Sequence, residues 1–108
     1  MPDGSRLGRG DLSLLLLGAL ATREMYGYEL VAELKGRSDG VVDLPEGTVY
    51  PSLRRLERNG LIRGRWVDVT GAPRRRYYVL TQAGERALDE GRAEWRRFVA
   101  ATESLIGR

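Results

Sequence analysis

The sequence predicts a mostly helical domain with one small β-hairpin: three short helices, the hairpin, then a long final helix. Three observations predict it. Apolar residues recur at spacings of three and four in three separate stretches, the signature of helices with one buried face. Two runs rich in Val, Ile, Trp and Tyr flank Thr70-Gly-Ala-Pro73, a cluster of turn formers, as in a hairpin. The chain has 108 residues, enough for one compact domain and near the size at which a second subunit often supplies missing core.

Taken in order, residues 1–10 are polar and Gly-rich and read as a flexible arm. Asp11 stands before Leu12-Ser-Leu-Leu-Leu-Leu-Gly-Ala-Leu-Ala21 and is placed to cap a helix running to about Thr22. That helix is apolar almost all round, so it needs cover on more than one side, and another subunit is one source of the second cover. Tyr26-Gly-Tyr-Glu-Leu-Val-Ala-Glu-Leu-Lys35 begins a second helix with Leu30, Val31 and Leu34 on one stripe, and Gly36 and Gly40 supply stops. Residues 39–46 connect.

The third helix reads from Gly47 to the Asn59-Gly60 stop, with Val49, Leu53 and Leu56 as its buried stripe. If it starts near Glu46 or Gly47, Pro51 lies early enough to lose little more than the first backbone bond. Thr48, Pro51, Arg54, Arg55 and Arg58 fall opposite or beside the stripe, with Tyr50 at its border. Residues 61–69 and 74–81 form the two strands, with Arg at the hairpin tip. A lone hairpin is marginal in water, so it must pack on the helices, and at least one of Tyr77 and Tyr78 belongs to the core. Trp66 reads as packing.

Thr81 caps the last helix, in which Leu88, Gly91, Trp95, Phe98, Thr102 and Leu105 alternate at three and four. This seam docks on the chain's own core or on a partner helix, and the second reading is the stronger because the helix outruns a small domain. Three segments follow: an arm (1–10), a compact domain (11–81) and a dimerisation helix (82–108).

Charge narrows the function. There are 18 Lys+Arg against 15 Asp+Glu, a net +3. Between residues 54 and 76 lie eight Arg, against only Glu57 and Asp68. All the excess positive charge sits in that stretch, which is either a surface meeting a polyanion or a solvated, Arg-rich face. With no Cys and no His, disulfides, thiolate catalysis and the commonest metal sites and general base are excluded. No cofactor or metal site is expected. The longest apolar run is too short to span a bilayer, and the N-terminus lacks the order of a signal peptide, so the expectation is a cytoplasmic protein with no membrane partner.

Helix, helix, helix, hairpin is the order of a winged helix-turn-helix, whose third helix enters the major groove while the hairpin lies along the backbone or minor groove. Thr48, Tyr50, Pro51, Arg54 and Arg55 are then the reading residues and Arg74 and Arg75 the phosphate clamps. The same topology also serves protein-binding modules. Those need an exposed apolar patch on the third helix, where this chain has Arg. An enzyme lacks support: no nucleophile–base pair, phosphate loop or metal spacing is present.

Residues 14–84 resemble the PadR family of bacterial transcriptional regulators. The matching words are Tyr26-Gly-Tyr-Glu-Leu30, Gly47-Thr-Val-Tyr-Pro-Ser-Leu-Arg-Arg-Leu-Glu57, Asn59-Gly-Leu-Ile62 and Arg74-Arg-Arg-Tyr-Tyr-Val-Leu-Thr-Gln-Ala-Gly84. Several words in order over about two-thirds of the chain carry the likeness. The chain departs at Tyr26, where the family usually has His or a similar residue. The resemblance implies a homodimeric repressor on a palindromic operator in double-stranded DNA, with Tyr26 near the DNA. It implies a dimer built from the first and last helices, here Leu12, Leu16, Leu88, Trp95, Phe98 and Leu105. The single C-terminal helix resembles the short subgroup. Some drug-responsive members of it carry a Trp at the dimer centre that stacks on flat aromatic ligands. Trp95 matches that position, which makes Trp95 and Phe98 the candidate site for a small aromatic effector; packing within the seam is the alternative.

Overall fold

The computed structural model describes residues 9–107. Its elements are α1 (Arg9–Leu20), β1 (Met25–Tyr26), α2 (Gly27–Arg37), α3 (Glu46–Arg58), β2 (Ile62–Val69), β3 (Ala72–Leu80) and α4 (Gln82–Ile106). The strands form one antiparallel sheet in the order β1-β3-β2. This is the winged helix-turn-helix order followed by a long terminal helix.

The core forms around α1. Leu12, Leu16, Leu17, Ala19 and Leu20 are all buried, against Met25, Leu30, Leu34, Val49, Leu53 and Ile62. The helix touches α2, α3, α4 and β3, so its all-round apolar surface is covered largely by its own chain. Of the residues expected at a dimer interface, Leu12, Leu16 and Leu88 are 5, 0 and 6 % exposed within one chain. α1 also starts earlier than expected. Arg9 and Gly10 belong to it and Asp11 lies in its first turn instead of ahead of it; residues 1–8 of the expected arm lie outside the described residues. The helix ends at Leu20, and the Thr22 hydroxyl donates to the Ala19 carbonyl at 2.8 Å.

Tyr26 precedes α2 instead of beginning it. It pairs with Tyr77 of β3, and its N–H donates to the Glu29 carboxylate at 3.2 Å, which caps the helix start. Strand β1 was absent from the expected hairpin because two residues carry no periodicity. Gly36 stays inside α2. The chain turns afterwards, where Asp39 and Gly40 take left-handed φ of 56° and 84° and the Gly40 N–H donates to the Lys35 carbonyl at 2.8 Å.

α3 buries Val49, Ser52, Leu53 and Leu56. α3 starts at Glu46, one of the two expected starts, which makes Pro51 its sixth residue, and the missing N–H is the one that would have reached the Gly47 carbonyl. Gly47 itself is exposed.

The β2–β3 hairpin turns at Gly71, φ 74°, and slips register between Val67 and Val69. Tyr78 is the buried member of the Tyr77–Tyr78 pair. Thr81 caps α4 as expected: its Oγ1 accepts from the Gly84 N–H at 3.0 Å and donates to the Gly60 carbonyl at 2.6 Å. A Cβ at Gly84 would sit 2.0 Å from the Leu61 carbonyl oxygen, so only glycine lets the helix start this close to the sheet. The 25 residues of α4 extend for about 37 Å at 1.5 Å per residue. Its first turns pack on α1 and β3, with Gly91 against Leu14 and Leu88 against Gly18. Farther along, Trp95, Phe98 and Leu105 are 50, 62 and 86 % exposed. The projecting helix stretches the molecule to 54 × 28 × 20 Å.

Candidate nucleic-acid interface

The start of α2, the outer flank of α3 and the β2–β3 wing enclose an open groove of about 780 Å³. Helical spacing puts Tyr50, Arg54 and Glu57 on one flank of α3, turned toward the wing. Strand alternation puts Arg74 and Arg76 on one face of β3, beside Trp66 of β2, whose register partner is Arg76. Of the residues expected to meet DNA, the fold brings Tyr26, Tyr50, Arg54, Arg74 and Arg75 together in this groove. Thr48 is exposed in the first turn of α3, and Pro51 is half-buried; neither lines the groove. Arg55 also falls outside it, with Nη2 donating to the Ser52 hydroxyl at 2.9 Å.

Tyr50 reaches the groove because residue 27 is glycine. A Cβ there would stand 2.1 Å from Tyr50 Cε1, so the edge of the ring closes directly on the first turn of α2. Burial, followed by the nearby Glu46 carboxylate, raises the Tyr50 hydroxyl above its ordinary pKa. Tyr78 beneath the groove is raised as well, chiefly by burial and then by Glu57.

The groove's arginines are held by aromatic faces. The Arg75 guanidinium lies 4.6 Å from the Tyr26 ring centroid, and Tyr26 in turn packs at 5.3 Å on Tyr77. Arg74 and Arg76 both stack on Trp66, at 4.9 and 5.2 Å. Trp66 is thus half-exposed and carries guanidinium groups, not the packing residue the sequence indicated. Its spacing from Arg74 and Arg76 becomes meaningful only once the hairpin register is known.

Charge pairing divides the Arg-rich stretch. Arg76 is ion-paired with Glu57 of α3. Arg65 makes a two-pronged bond to Glu24, with Nη2–Oε1 at 2.5 Å and Nε–Oε2 at 3.0 Å, and this bond holds the Glu24 carboxyl below its ordinary pKa. Among the described residues, Arg54, Arg74 and Arg75 have no carboxylate partner. Two unneutralised forks, Arg54 and Arg74, therefore face the groove, and the third, Arg75, stands beside it on the other face of β3, over Tyr26, an arrangement that attracts a polyanion.

Away from the groove, Trp95 and Phe98 tilt against each other at 5.9 Å on the projecting part of α4, with Leu105 farther along. Among the described residues no cluster of carboxylates could hold a metal ion, and no helix is long and apolar enough to cross a membrane.

Comparison with known proteins agrees with this architecture. The profile of the Transcriptional regulator PadR-like family matches residues 16–90. A Lysinibacillus sphaericus protein described only as uncharacterized is 32% identical over 87 residues, spanning 81% of this chain and 80% of its own. Transcriptional regulator Rv3488 of Mycobacterium tuberculosis is 38% identical over 84 residues, 78% of this chain and 75% of its own. Transcriptional regulator YqjI of Escherichia coli is 30% identical over 87 residues, 81% of this chain, but the match spans only 40% of that longer protein. Among solved structures, a transcriptional regulator from Clostridium thermocellum superposes with a TM-score of 0.84 at 27% identity, covering 92% of this chain and 93% of its own. Bacillus subtilis PadR in complex with operator DNA superposes with a TM-score of 0.68 at 25% identity, covering 73% of this chain and 45% of its own. With its profile match over most of the sequence and relatives above 30% identity along most of both chains, this chain belongs to the PadR-like family of transcriptional regulators.

Proposed function

We propose that the chain represses transcription as a homodimer bound to a palindromic operator in double-stranded DNA. The observation that carries this reading is the groove in which Arg54 and Arg74 converge without carboxylate partners beside the exposed flank of α3, with the equally unpartnered Arg75 on the other face of the wing. The likeness to a PadR solved on operator DNA supports it. In this reading α3 lies in the major groove. Thr48, Tyr50, Pro51 and Arg54 meet base edges or orient the helix, with Arg55 at its far flank, while Tyr26 seats Arg75 and the wing's Arg74 and Arg75 hold phosphates. The compact unit is 11–81, and 82–108 is the dimerisation helix.

The exposed apolar row on α4, Trp95, Phe98 and Leu105, supports pairing with a second copy. In that dimer, Trp95 and Phe98 would present ring faces to a flat aromatic effector, which releases the operator. The protein acts in the cytoplasm, where its operator is.

The test is a salt titration. Duplexes from the upstream region of the protein's own gene are titrated at several salt concentrations. The Arg74→Ala/Arg75→Ala variant should bind every sequence more weakly and lose about 1.8 from the log–log salt slope per chain, two phosphates at about 0.9 each. An unchanged slope removes the wing from the interface.

A further inference from the structure

We propose that Glu57 and Arg76 form a lock that sets the wing's distance from α3, and that Arg76, despite lying in the Arg-rich stretch, is a positioning residue and not a phosphate contact. The inference rests on the DNA-binding reading above.

Four observations converge on Arg76. Its guanidinium is ion-paired with Glu57, near the C-terminal end of α3. It stacks on Trp66, its register partner across the hairpin, at 5.2 Å, and lies 6.0 Å from the Tyr78 ring. It also occupies the space a side chain on residue 64 would fill: a Cβ on Gly64 would fall 2.7 Å from Arg76 Nε and 2.8 Å from Cζ. Finally, both paired side chains are more than two-thirds covered, whereas Arg74 on the same strand is exposed.

Arg76 is therefore held from three sides, by carboxylate, indole and bare backbone. The carboxylate comes from the reading helix and the other two from the wing, so the guanidinium pins one to the other. Arg74 shares the Trp66 ring, which passes the constraint on to a side chain free to meet a phosphate. A wing fixed in this way favours the one duplex geometry in which base edges and phosphates are met together. A loose wing binds any duplex by charge alone. Glu57 thereby trades a little general affinity for selectivity, because its carboxylate stands among cations that would otherwise all seek phosphate.

The full-length dimer provides the test, with a selected operator duplex and a shuffled duplex of equal length. Glu57→Gln frees Arg76: binding to the shuffled duplex should tighten, the salt slope should steepen by about 0.9 per chain, and the operator-over-shuffled ratio should fall about fivefold per chain, the scale of one partly exposed ion pair. Gly64→Ala, which changes no charge, should lower the same ratio by displacing the guanidinium. Glu57→Gln/Arg76→Met should keep the wild-type salt slope. A drop of about 0.9 per chain in that double variant makes Arg76 a phosphate contact and overturns the proposal.

A DNA-free readout separates the lock from its parent reading. In Trp95→Phe protein, Trp66 is the remaining tryptophan. Glu57→Gln and Gly64→Ala should each raise its quenching by acrylamide, and unchanged quenching overturns the lock. Failure of the wild type to bind any duplex, with the quenching response intact, overturns the DNA-binding reading and the positioning role that rests on it.

Discussion

Replacing Gly27 by alanine tests how the groove is assembled. The added Cβ would stand 2.1 Å from Tyr50 Cε1 and 2.7 Å from both Cζ and the hydroxyl oxygen. Carbon atoms settle at about 3.5 Å or more, so the ring has to retreat by about 1.4 Å or α2 has to lift off α3. Overpacking of this kind costs about 1–3 kcal/mol, and replacing a glycine whose backbone suits alanine returns about 0.4–1 kcal/mol through the unfolded chain. The net is a loss near 1 kcal/mol, or a fall in melting temperature of about 4–8 °C for a domain of this size. Calorimetry measures the fall, and operator binding should weaken with it because Tyr50 lines the groove. A double-mutant cycle isolates the contact. In the Tyr50→Ala background the ring is gone, so Gly27→Ala should become neutral or mildly stabilising. If Gly27→Ala costs the same with and without the ring, the clash with Tyr50 is not its cause and this account of residue 27 is wrong.

Other expectations follow from the same geometry. Leu16→Ala opens a cavity at the centre of the core and should cost about 2–5 kcal/mol in denaturant unfolding. Thr81→Ala removes the α4 cap and should cost about 1 kcal/mol, with amide exchange accelerated in the first turn of α4. The folded-state pKa of Glu24 lies below its ordinary value because Arg65 bonds the ionised form. That contribution is present above the unfolded pKa and is lost as pH falls through the folded one, so acid unfolding of Glu24→Gln should show a shallower pH dependence in that window. Tyr78 is shifted upward by burial, so its contribution is present below the unfolded tyrosine value and is lost as pH rises through the folded one; Tyr78→Phe should flatten the alkaline limb. Trp95→Ala/Phe98→Ala should shift light-scattering mass toward the monomer, and an unchanged dimer mass would move the subunit contact elsewhere.

Helix positions were legible because burial imposes a period: Leu30 and Leu34, and Val49, Leu53 and Leu56, are the buried faces that their spacing indicates. The Thr81 cap was legible because the hydroxyl acts three residues away. What escaped depends on partners distant in sequence. Strand β1 exists because Tyr77 and Tyr78 arrive from fifty residues downstream to pair with it. A charge count sees eight arginines alike, yet Arg65 is tied to Glu24, 41 positions away, and Arg76 to Glu57 on another element. An all-round apolar helix such as α1 does not reveal in the sequence which neighbours will cover it. In this fold α2, α3 and α4 of the same chain do so.

The sheet's two margins have a consequence for crowding. One margin, β1, is two residues long, and the other, β2, carries Arg63, Arg65 and Asp68 and breaks its register at Val67. Short length, repelling charge and a bulge are the means by which proteins deny a neighbour the template for another strand. Wings brought side by side, as when several copies crowd one stretch of polymer, therefore have no ready seam along which to zip together.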